Sequence, residues 1–201
     1  MYDRFDRKIN YLRISVTDRC NLRCRYCMPE EGIRLLRHED ILTFNEITGF
    51  TKAAVRNGIT KVRITGGEPL VRKGIISLVS MIADIEGIKD LSMTTNGVLL
   101  KEFAADLKKA GLHRVNISLD TADPERFSHI TRGGNIDDVM DGIKSAKDAG
   151  LLHVKINCVI LDSPEEEDAR SVTQYCSENN LEIRYIRQMD LVRGHFSTVV
   201  G

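Results

Sequence analysis

The residues best suited to chemistry are three cysteines, Cys20, Cys24 and Cys27, which lie four and three positions apart. They follow an alternating segment at 13–17 that predicts a β-strand. One loop after this strand can therefore bring three thiolates to one point. A cubane iron–sulfur cluster is ordinarily held by four cysteines, so three of them leave one iron without a protein ligand. An open iron can bind a small molecule, which indicates a catalytic site and not only an electron carrier.

Two other uses of the cysteines are open at this point. One is a zinc knuckle, for which His38 is the nearest candidate for a fourth ligand, and the other is a redox pair with a spare thiol. Zinc ligands usually occur as two closely spaced pairs, and the sequence contains no second pair. The spacing therefore favours the iron–sulfur cluster.

The composition excludes several classes of protein. The 201 residues carry 29 Lys and Arg against 29 Asp and Glu, so the excess of positive charge that is typical of nucleic-acid-binding proteins is absent from the sequence. A local cationic pocket is compatible with this balance. Five cysteines in a chain of this length do not suggest a disulfide framework. The first residues do not resemble a signal peptide, and no apolar run reaches the length of a membrane span. We expect a cytoplasmic protein, without a membrane segment, that forms one domain over 1–201.

The chain alternates between strand-like and helix-like segments. Strands are predicted near 11–17, 61–65, 89–95, 113–119, 152–160 and 182–188, and helices near 43–57, 71–85, 99–110, 135–149 and 165–179. Thr43 with Glu46 predicts a capping box, and Ser163-Pro164 predicts the start of the last helix. Strands joined through helices imply a parallel sheet with right-handed crossovers.

The strands favour a barrel over an open sheet covered on both faces, because strands of such a sheet should be almost wholly apolar. These strands instead alternate between apolar and polar residues. A sheet with one solvated face is the alternative, but helical connections disfavour it. We therefore predict a partial (β/α)6 TIM-type barrel of six parallel strands with a polar lumen. Its site should lie at the carboxyl ends of the strands.

Three cations, Arg13, Arg63 and Lys155, occupy the inward phase of three different strands. Such a set favours a polyanionic ligand, for example a phosphate chain or a carboxylate. The alternative is that these cations pair with Asp120 and Glu68.

Two further features concern glycine and the remaining cysteines. The pair Gly66-Gly67 follows the second strand and is expected to let a ligand approach the backbone closely. Cys158 and Cys176 are expected to be structural, because buried free cysteine behaves as a small hydrophobe.

The motif C-x3-C-x2-C, with Tyr26 before its last cysteine, and the motif Gly66-Gly67-Glu68-Pro69 resemble those of the radical S-adenosylmethionine superfamily. Within this superfamily the phrases at 12–21, 27–29, 62–72, 93–97 and 115–120 are similar to the GTP 3′,8-cyclase family.

The resemblance implies the cofactors and the reaction. Cys20, Cys24 and Cys27 would hold a [4Fe-4S] cluster whose open iron binds S-adenosylmethionine, and cleavage of the latter would yield a 5′-deoxyadenosyl radical. The radical would act on GTP to give (8S)-3′,8-cyclo-7,8-dihydroguanosine 5′-triphosphate in molybdenum cofactor biosynthesis. An electron donor such as flavodoxin or ferredoxin and a homodimer are also implied.

The resemblance also implies contacts for particular residues. Tyr26, Gly67, Ser118 and Met189 match positions that contact S-adenosylmethionine, and Arg13, Arg63, Thr94 and Lys155 match positions that contact GTP. The polar, inward-facing positions of the predicted strands do not depend on the resemblance, and they include Arg13, Arg63, Thr94, Ser118 and Lys155.

One part of the family pattern has no counterpart in these residues. The family carries three further cysteines, for a second cluster that binds guanine, and Cys158 and Cys176 match neither their spacing nor their position. Two alternatives to a GTP cyclase therefore stay open. They are a radical enzyme with another anionic substrate and a non-catalytic iron–sulfur or zinc scaffold.

Overall fold

The computed structural model describes residues 2–188, which contain a single parallel sheet of six strands in the order β1-β2-β3-β4-β5-β6. The strands are β1 Tyr11–Ser15, β2 Lys61–Thr65, β3 Asp90–Thr95, β4 Arg114–Ser118, β5 Lys155–Ile160 and β6 Glu182–Arg187. Because each strand lies beside the previous one in the sequence, the strand order does not reverse as it does in a doubly wound sheet. The predicted partial barrel of six parallel strands is confirmed.

Six α-helices connect the strands: α1 Phe44–Arg56, α2 Ile75–Ala83, α3 Leu100–Lys109, α4 Pro124–Thr131, α5 Ile136–Asp148 and α6 Glu167–Glu178. Short 3-10 helices cover His38–Asp40 and Pro69–Val71. The five predicted helices are present, and the capping box of Thr43 with Glu46 is confirmed. None of the helices within residues 2–188 is both long enough and apolar enough to cross a membrane.

Three predicted details of the helices were wrong. Helix α4 was missed, although Asp123 caps it through the Arg126 N–H at 2.8 Å and Pro124 occupies its first turn. Helix α2 begins later than predicted, because the 3-10 turn and Gly74 at φ 81° come first. Helix α6 begins at Glu167 and not after Ser163, because the Glu166 carboxylate accepts the N–H groups of residues 161–163.

The apolar phase of the strands forms the core under the helices. Val62, Ile64, Val115, Ile117 and Ile156 are fully buried in it. Cys158 and Cys176 belong to the same core, as expected for small hydrophobes. The polar phase faces the other side of the sheet and forms the lumen. In this phase Arg13 is exposed and Arg63 and Lys155 are half-buried.

Helix α5 packs closely on the loop after β3 because Gly142 lacks a side chain. A Cβ atom at Gly142 would lie 2.3 Å from the carbonyl oxygen of Gly97. Gly49 also lies inside a helix, α1, but nothing lies within 4 Å of the position of its Cβ atom.

We predict opposite effects for the same substitution at these two glycines. Gly142→Ala should lower the free energy of unfolding by about 1–3 kcal/mol, because the methyl group overpacks the contact. Gly49→Ala should raise it by about 0.5–1 kcal/mol, because alanine loses less backbone entropy in a helix. Urea unfolding of the two variants measures both effects. A stabilised Gly142→Ala variant would contradict the packing described above.

Candidate functional site

An open cavity of about 180 Å³ lies at the carboxyl ends of the strands and brings most of the predicted site residues together. Cys20, Cys24, Cys27, Tyr26, Gly67, Thr94 and Ser118 all line it. Its wall also includes apolar side chains, namely Leu22, Phe127 and Ile130. A cavity in this position, with apolar side chains and a few polar groups in its lining, is typical of a small-molecule or cofactor site.

The cysteine loop is fastened to the end of β2 by backbone hydrogen bonds. The N–H of Gly67 donates to the carbonyl of Thr17, and that of Glu68 donates to the carbonyl of Arg19, both at 2.8 Å. A Cβ atom at Gly67 would lie 2.3 Å from the carbonyl oxygen of Arg19. The expectation that this glycine pair serves the approach of a ligand is therefore incomplete. Gly67 is required first by the close approach of the cysteine loop itself.

The carboxylate of Glu68 joins the loop after β2 to the loop after β3. Its side chain is fully buried. One carboxylate oxygen accepts from the Leu70 N–H at 3.0 Å and the Thr95 hydroxyl at 2.8 Å, and the other accepts from the Asn96 N–H at 2.7 Å. Burial raises the pKa of Glu68, while these three hydrogen bonds favour the ionised form and oppose that rise.

Helix α4 holds the cysteine loop from the opposite side. The backbone N–H groups of Arg23 and Arg25 donate to the carbonyls of Thr131 and Ile130, at 3.2 and 2.9 Å. The Arg132 guanidinium donates to the carbonyls of Arg23 and Met28, at 2.6 and 2.8 Å. Arg132 thus bridges the two ends of the segment that carries Cys24 and Cys27.

The three thiols differ in their environments. A hydrogen bond from the Cys24 thiol raises the pKa of Cys24 and lowers that of Cys27 to about 7. Burial raises the pKa of Cys20. Within residues 2–188 no three His, Cys, Asp or Glu side chains are grouped closely enough to hold a single metal ion. Each thiolate of a cubane cluster binds a different iron, so the three sulfur atoms need not be close enough to share one metal ion.

Tyr26 and Asp120 form a half-buried, hydrogen-bonded pair beside the cysteines. Burial, followed by the neighbouring Asp120 carboxylate, raises the pKa of Tyr26. Burial also raises the pKa of Asp120, whose carboxylate accepts the Val159 N–H at 2.8 Å. Asp120 lines the cavity but was predicted only as a partner for the cations.

Arg13 and Arg63 lie in the lumen, next to each other in the register of β1 and β2. The Arg63 Nε–H donates to the Ser92 hydroxyl at 3.3 Å, and the guanidinium carbon lies 5.5 Å from the centre of the Tyr11 ring. Burial lowers the pKa of Arg63. In the part of the chain that the structure describes, neither arginine forms an ion pair with a carboxylate.

Lys155 does have a carboxylate partner. Its ammonium group lies 2.6 Å from Glu182, which is in register with it on β6. The predicted alternative, in which the cations pair with Asp120 and Glu68, is wrong. Across residues 2–188 those two carboxylates instead accept backbone and hydroxyl groups.

Two buried polar atoms of the lumen lack a hydrogen-bond partner in the described part of the chain, namely Thr94 Oγ1 and Asn116 Oδ1. Thr94 and Asn116 are directly opposite each other on β3 and β4. An unpaired buried polar atom costs about 1–3 kcal/mol, which a polar ligand can offset. The three thiols and these two atoms together fit a sulfur-ligated cluster with a polar molecule beside it.

The sequence identified part of the cavity wall but not everything that supports it. Met189 lies outside the described residues. The cavity lining does not include Arg13, Arg63 or Lys155. The supports at Asn96 and Arg132 were missed. Asn96 directly follows a predicted strand, and this position alone indicates the functional edge of the sheet. The sequence gives no such indication for Arg132, because helix α4 was not predicted.

We predict that Glu68→Gln lowers the free energy of unfolding by about 1–3 kcal/mol, because the single amide oxygen cannot replace both carboxylate oxygens. The Gln amide group would then face a backbone N–H, and one donor would lose its partner. Urea unfolding measures the loss. Glu46→Gln is the matched control, since it makes the same change at an exposed cap and should have a much smaller effect. Equal losses in both variants would contradict the role of burial.

We predict that Arg132→Ala loosens the cysteine loop in the cluster-free protein. Two carbonyl groups would lose their donor, so Cys24, whose pKa does not depend on Arg132, should react with a neutral alkylating reagent several-fold faster. Arg34→Ala removes the same charge from the exposed segment that follows the loop and should leave the rate unchanged. Unchanged alkylation in Arg132→Ala would show that the other hydrogen bonds are sufficient.

Comparison with known proteins agrees with this geometry. The family model for the radical SAM superfamily matches residues 14–176. The GTP 3′,8-cyclase of Thermodesulfovibrio yellowstonii is 54% identical over 190 residues, which cover 94% of this chain and 59% of that protein. The GTP 3′,8-cyclase of Peptoclostridium acidaminophilum is 50% identical, over 94% of this chain and 58% of that protein. This chain therefore spans less than two thirds of the length of either relative.

Solved structures share the fold at low sequence identity. Streptococcus suis SuiB bound to S-adenosylmethionine has a TM-score of 0.75 at 21% identity, over 92% of this chain and 42% of that protein. Methylornithine synthase has a TM-score of 0.72 at 19% identity, over 89% of this chain and 53% of that protein. The family match over most of the chain, on a fold and cysteine loop of this kind, shows that the chain belongs to the radical SAM superfamily.

Proposed function

We propose that these residues form the radical S-adenosylmethionine core domain of a GTP 3′,8-cyclase. The reaction is the conversion of GTP to (8S)-3′,8-cyclo-7,8-dihydroguanosine 5′-triphosphate in molybdenum cofactor biosynthesis. One observation carries the proposal: three thiols line a single cavity with Tyr26, and Arg13 and Arg63, which form no ion pair with a carboxylate within residues 2–188, lie in the same lumen. The 54% identity to a GTP 3′,8-cyclase supports the choice of substrate.

Members of this superfamily use a [4Fe-4S] cluster together with S-adenosylmethionine. In the proposal Cys20, Cys24 and Cys27 hold the cluster. When bound, these cofactors supply the one-electron chemistry that removes a hydrogen atom from the substrate. The low pKa of Cys27 favours a thiolate near neutral pH, which is the form that binds iron.

The residues of the chain orient the cofactor and exclude water. In the proposal Tyr26, Gly67, Ser118 and Met189 contact S-adenosylmethionine. Three of them line the cavity, and the fourth lies outside the described residues. The apolar side chains of Leu22, Phe127 and Ile130 on the cavity wall limit the access of water to a reactive species.

The substrate site is proposed on the inward face of the strands. Arg13 and Arg63 provide positive charge for the triphosphate, since neither forms an ion pair with a carboxylate within residues 2–188. Thr94 offers its hydroxyl group, which has no partner in the described chain. Lys155 joins this set, and its pairing with Glu182 holds its ammonium group in place when the substrate is absent.

A second candidate function is a radical enzyme with another anionic substrate. It is favoured by the chemistry of the lumen cations, because arginine and lysine bind carboxylate groups as well as phosphate groups. The cations would then bind a different phosphate or carboxylate group. Both candidates require an electron donor such as flavodoxin or ferredoxin, and a homodimer is part of the first.

The test is anaerobic reconstitution of the chain with iron and sulfide, followed by reduction and addition of S-adenosylmethionine. We expect four irons per chain and release of 5′-deoxyadenosine that increases with GTP. Release that does not depend on GTP would favour the second candidate. A chain that binds no four-iron cluster would contradict both.

A variant links the substrate to the lumen. Arg63→Ala should weaken GTP binding by about tenfold or more, because a charged hydrogen bond to phosphate is lost. Calorimetry on the reconstituted protein measures the change. Arg56→Ala removes the same charge from the exposed end of α1 and should not alter binding. Equal GTP affinity in Arg63→Ala and the unsubstituted chain would remove Arg63 from the substrate site.

A further inference from the structure

Cys20 differs from the other two cysteines of the loop in the donors that reach its sulfur. The Leu22 N–H lies 3.4 Å from Cys20 Sγ, and the Asn96 side-chain amide nitrogen lies 3.8 Å from it. Both distances are within the range of N–H···S hydrogen bonds. The first donor belongs to the cysteine loop, whereas the second reaches it from the loop after β3, 76 residues further along the chain.

The orientation of the Asn96 amide is fixed by its other contacts. Its oxygen accepts the Val98 N–H at 3.1 Å, so the nitrogen must be the atom directed at the cysteine loop. That NH₂ group has two hydrogens, and one donates to Asn21 Oδ1 at 2.8 Å. The other remains for the sulfur of Cys20.

The backbone of Asn96 is held as firmly as its side chain. Its N–H donates at 2.7 Å to the buried carboxylate of Glu68. The same carboxylate accepts the hydroxyl of the preceding residue, Thr95, at 2.8 Å. The amide is therefore fixed before any cofactor binds, and it will not turn away from the sulfur without breaking the contact with Val98.

We propose that Asn96 raises the reduction potential of the cluster by donating a hydrogen bond to the Cys20 sulfur. This inference rests on the proposed function, in which Cys20 is a cluster ligand. Reduction adds negative charge to the cluster and its thiolates. An N–H dipole directed at a ligand sulfur stabilises the reduced form more than the oxidised form. Asn96 thus acts through Cys20 and does not itself ligate the cluster.

The alternative is that Asn96 merely joins the two loops through Asn21 and Val98. The two roles differ in what they predict. A purely mechanical role affects cluster content and protein stability, and it leaves the potential of an assembled cluster unchanged. A role through the sulfur shifts the potential even when iron content is normal.

The experiment is a spectroelectrochemical titration of the reconstituted chain and three variants, with iron content and thermal unfolding measured on each. In Asn96→Ala the reduced-to-oxidised ratio at a fixed potential should fall by about fivefold, as expected for one net hydrogen bond. In Asn96→Asp it should fall further, because a carboxylate replaces the donor, while an oxygen remains for the Val98 N–H. Asn21→Ala removes the neighbouring acceptor but keeps the donor to Cys20, and its potential should match that of the unsubstituted chain.

The outcomes separate this inference from the proposed function. An unsubstituted chain that binds no four-iron cluster at the three cysteines overturns both. If Asn96→Ala and Asn96→Asp both assemble a normal cluster with the reduction potential of the unsubstituted chain, the inference alone is overturned. A shift in Asn21→Ala equal to that in Asn96→Ala also overturns it, since the contact between the loops would then be responsible. A fall confined to the two Asn96 variants, with full iron content, supports it.

Discussion

The shape of the cysteine loop depends on hydrogen bonds from its neighbours, because the loop forms few of its own. Between Cys20 and Met28 the internal backbone bonds are those of a single turn, in which Cys27 and Met28 donate to the carbonyl of Cys24. The end of β2 holds the loop before the first cysteine, α4 holds its middle, and Asn96 contacts Cys20 itself. The distances between the thiols are therefore set by the sheet and by α4, and not by local propensity.

The order of the strands explains how these supports come together. Because β1, β2 and β3 are consecutive neighbours, the loops at their carboxyl ends are adjacent as well. The buried Glu68 carboxylate uses this adjacency to connect the second and third loops. A buried carboxylate is tolerated only when several donors compensate its lost hydration, and three donors do so for Glu68. The carboxylate whose pKa is raised by burial is thus the same group that fixes the wall of the cavity.

The sequence predicted the sheet and most of the cavity because both depend on strand periodicity. An alternating strand specifies which side chains face inward, and the residue that ends a parallel strand lies at the functional edge. Thr94 and Ser118 were found in this way. Periodicity does not specify partners that are distant in sequence, so the Lys155–Glu182 pair and the contact of Arg132 with the cysteine loop were not predicted. The glycine pair was recognised as a close approach, but periodicity could not show that the carbonyl of Arg19 in the cysteine loop is the group that requires glycine at position 67.

The supports of the cysteine loop have a consequence for cofactor binding. Ordering a flexible loop costs about 1–2 kcal/mol for each residue that is fixed, and a cluster that had to order its own loop would bind more weakly by that sum. Here the bonds from Gly67, Glu68 and Arg132 order the loop without any contribution from the thiols. The binding free energy of a cluster can then be used for metal–sulfur bonds. The same rigidity keeps the Asn96 amide directed at one sulfur, so the three cysteines are not equivalent even before a cofactor is bound.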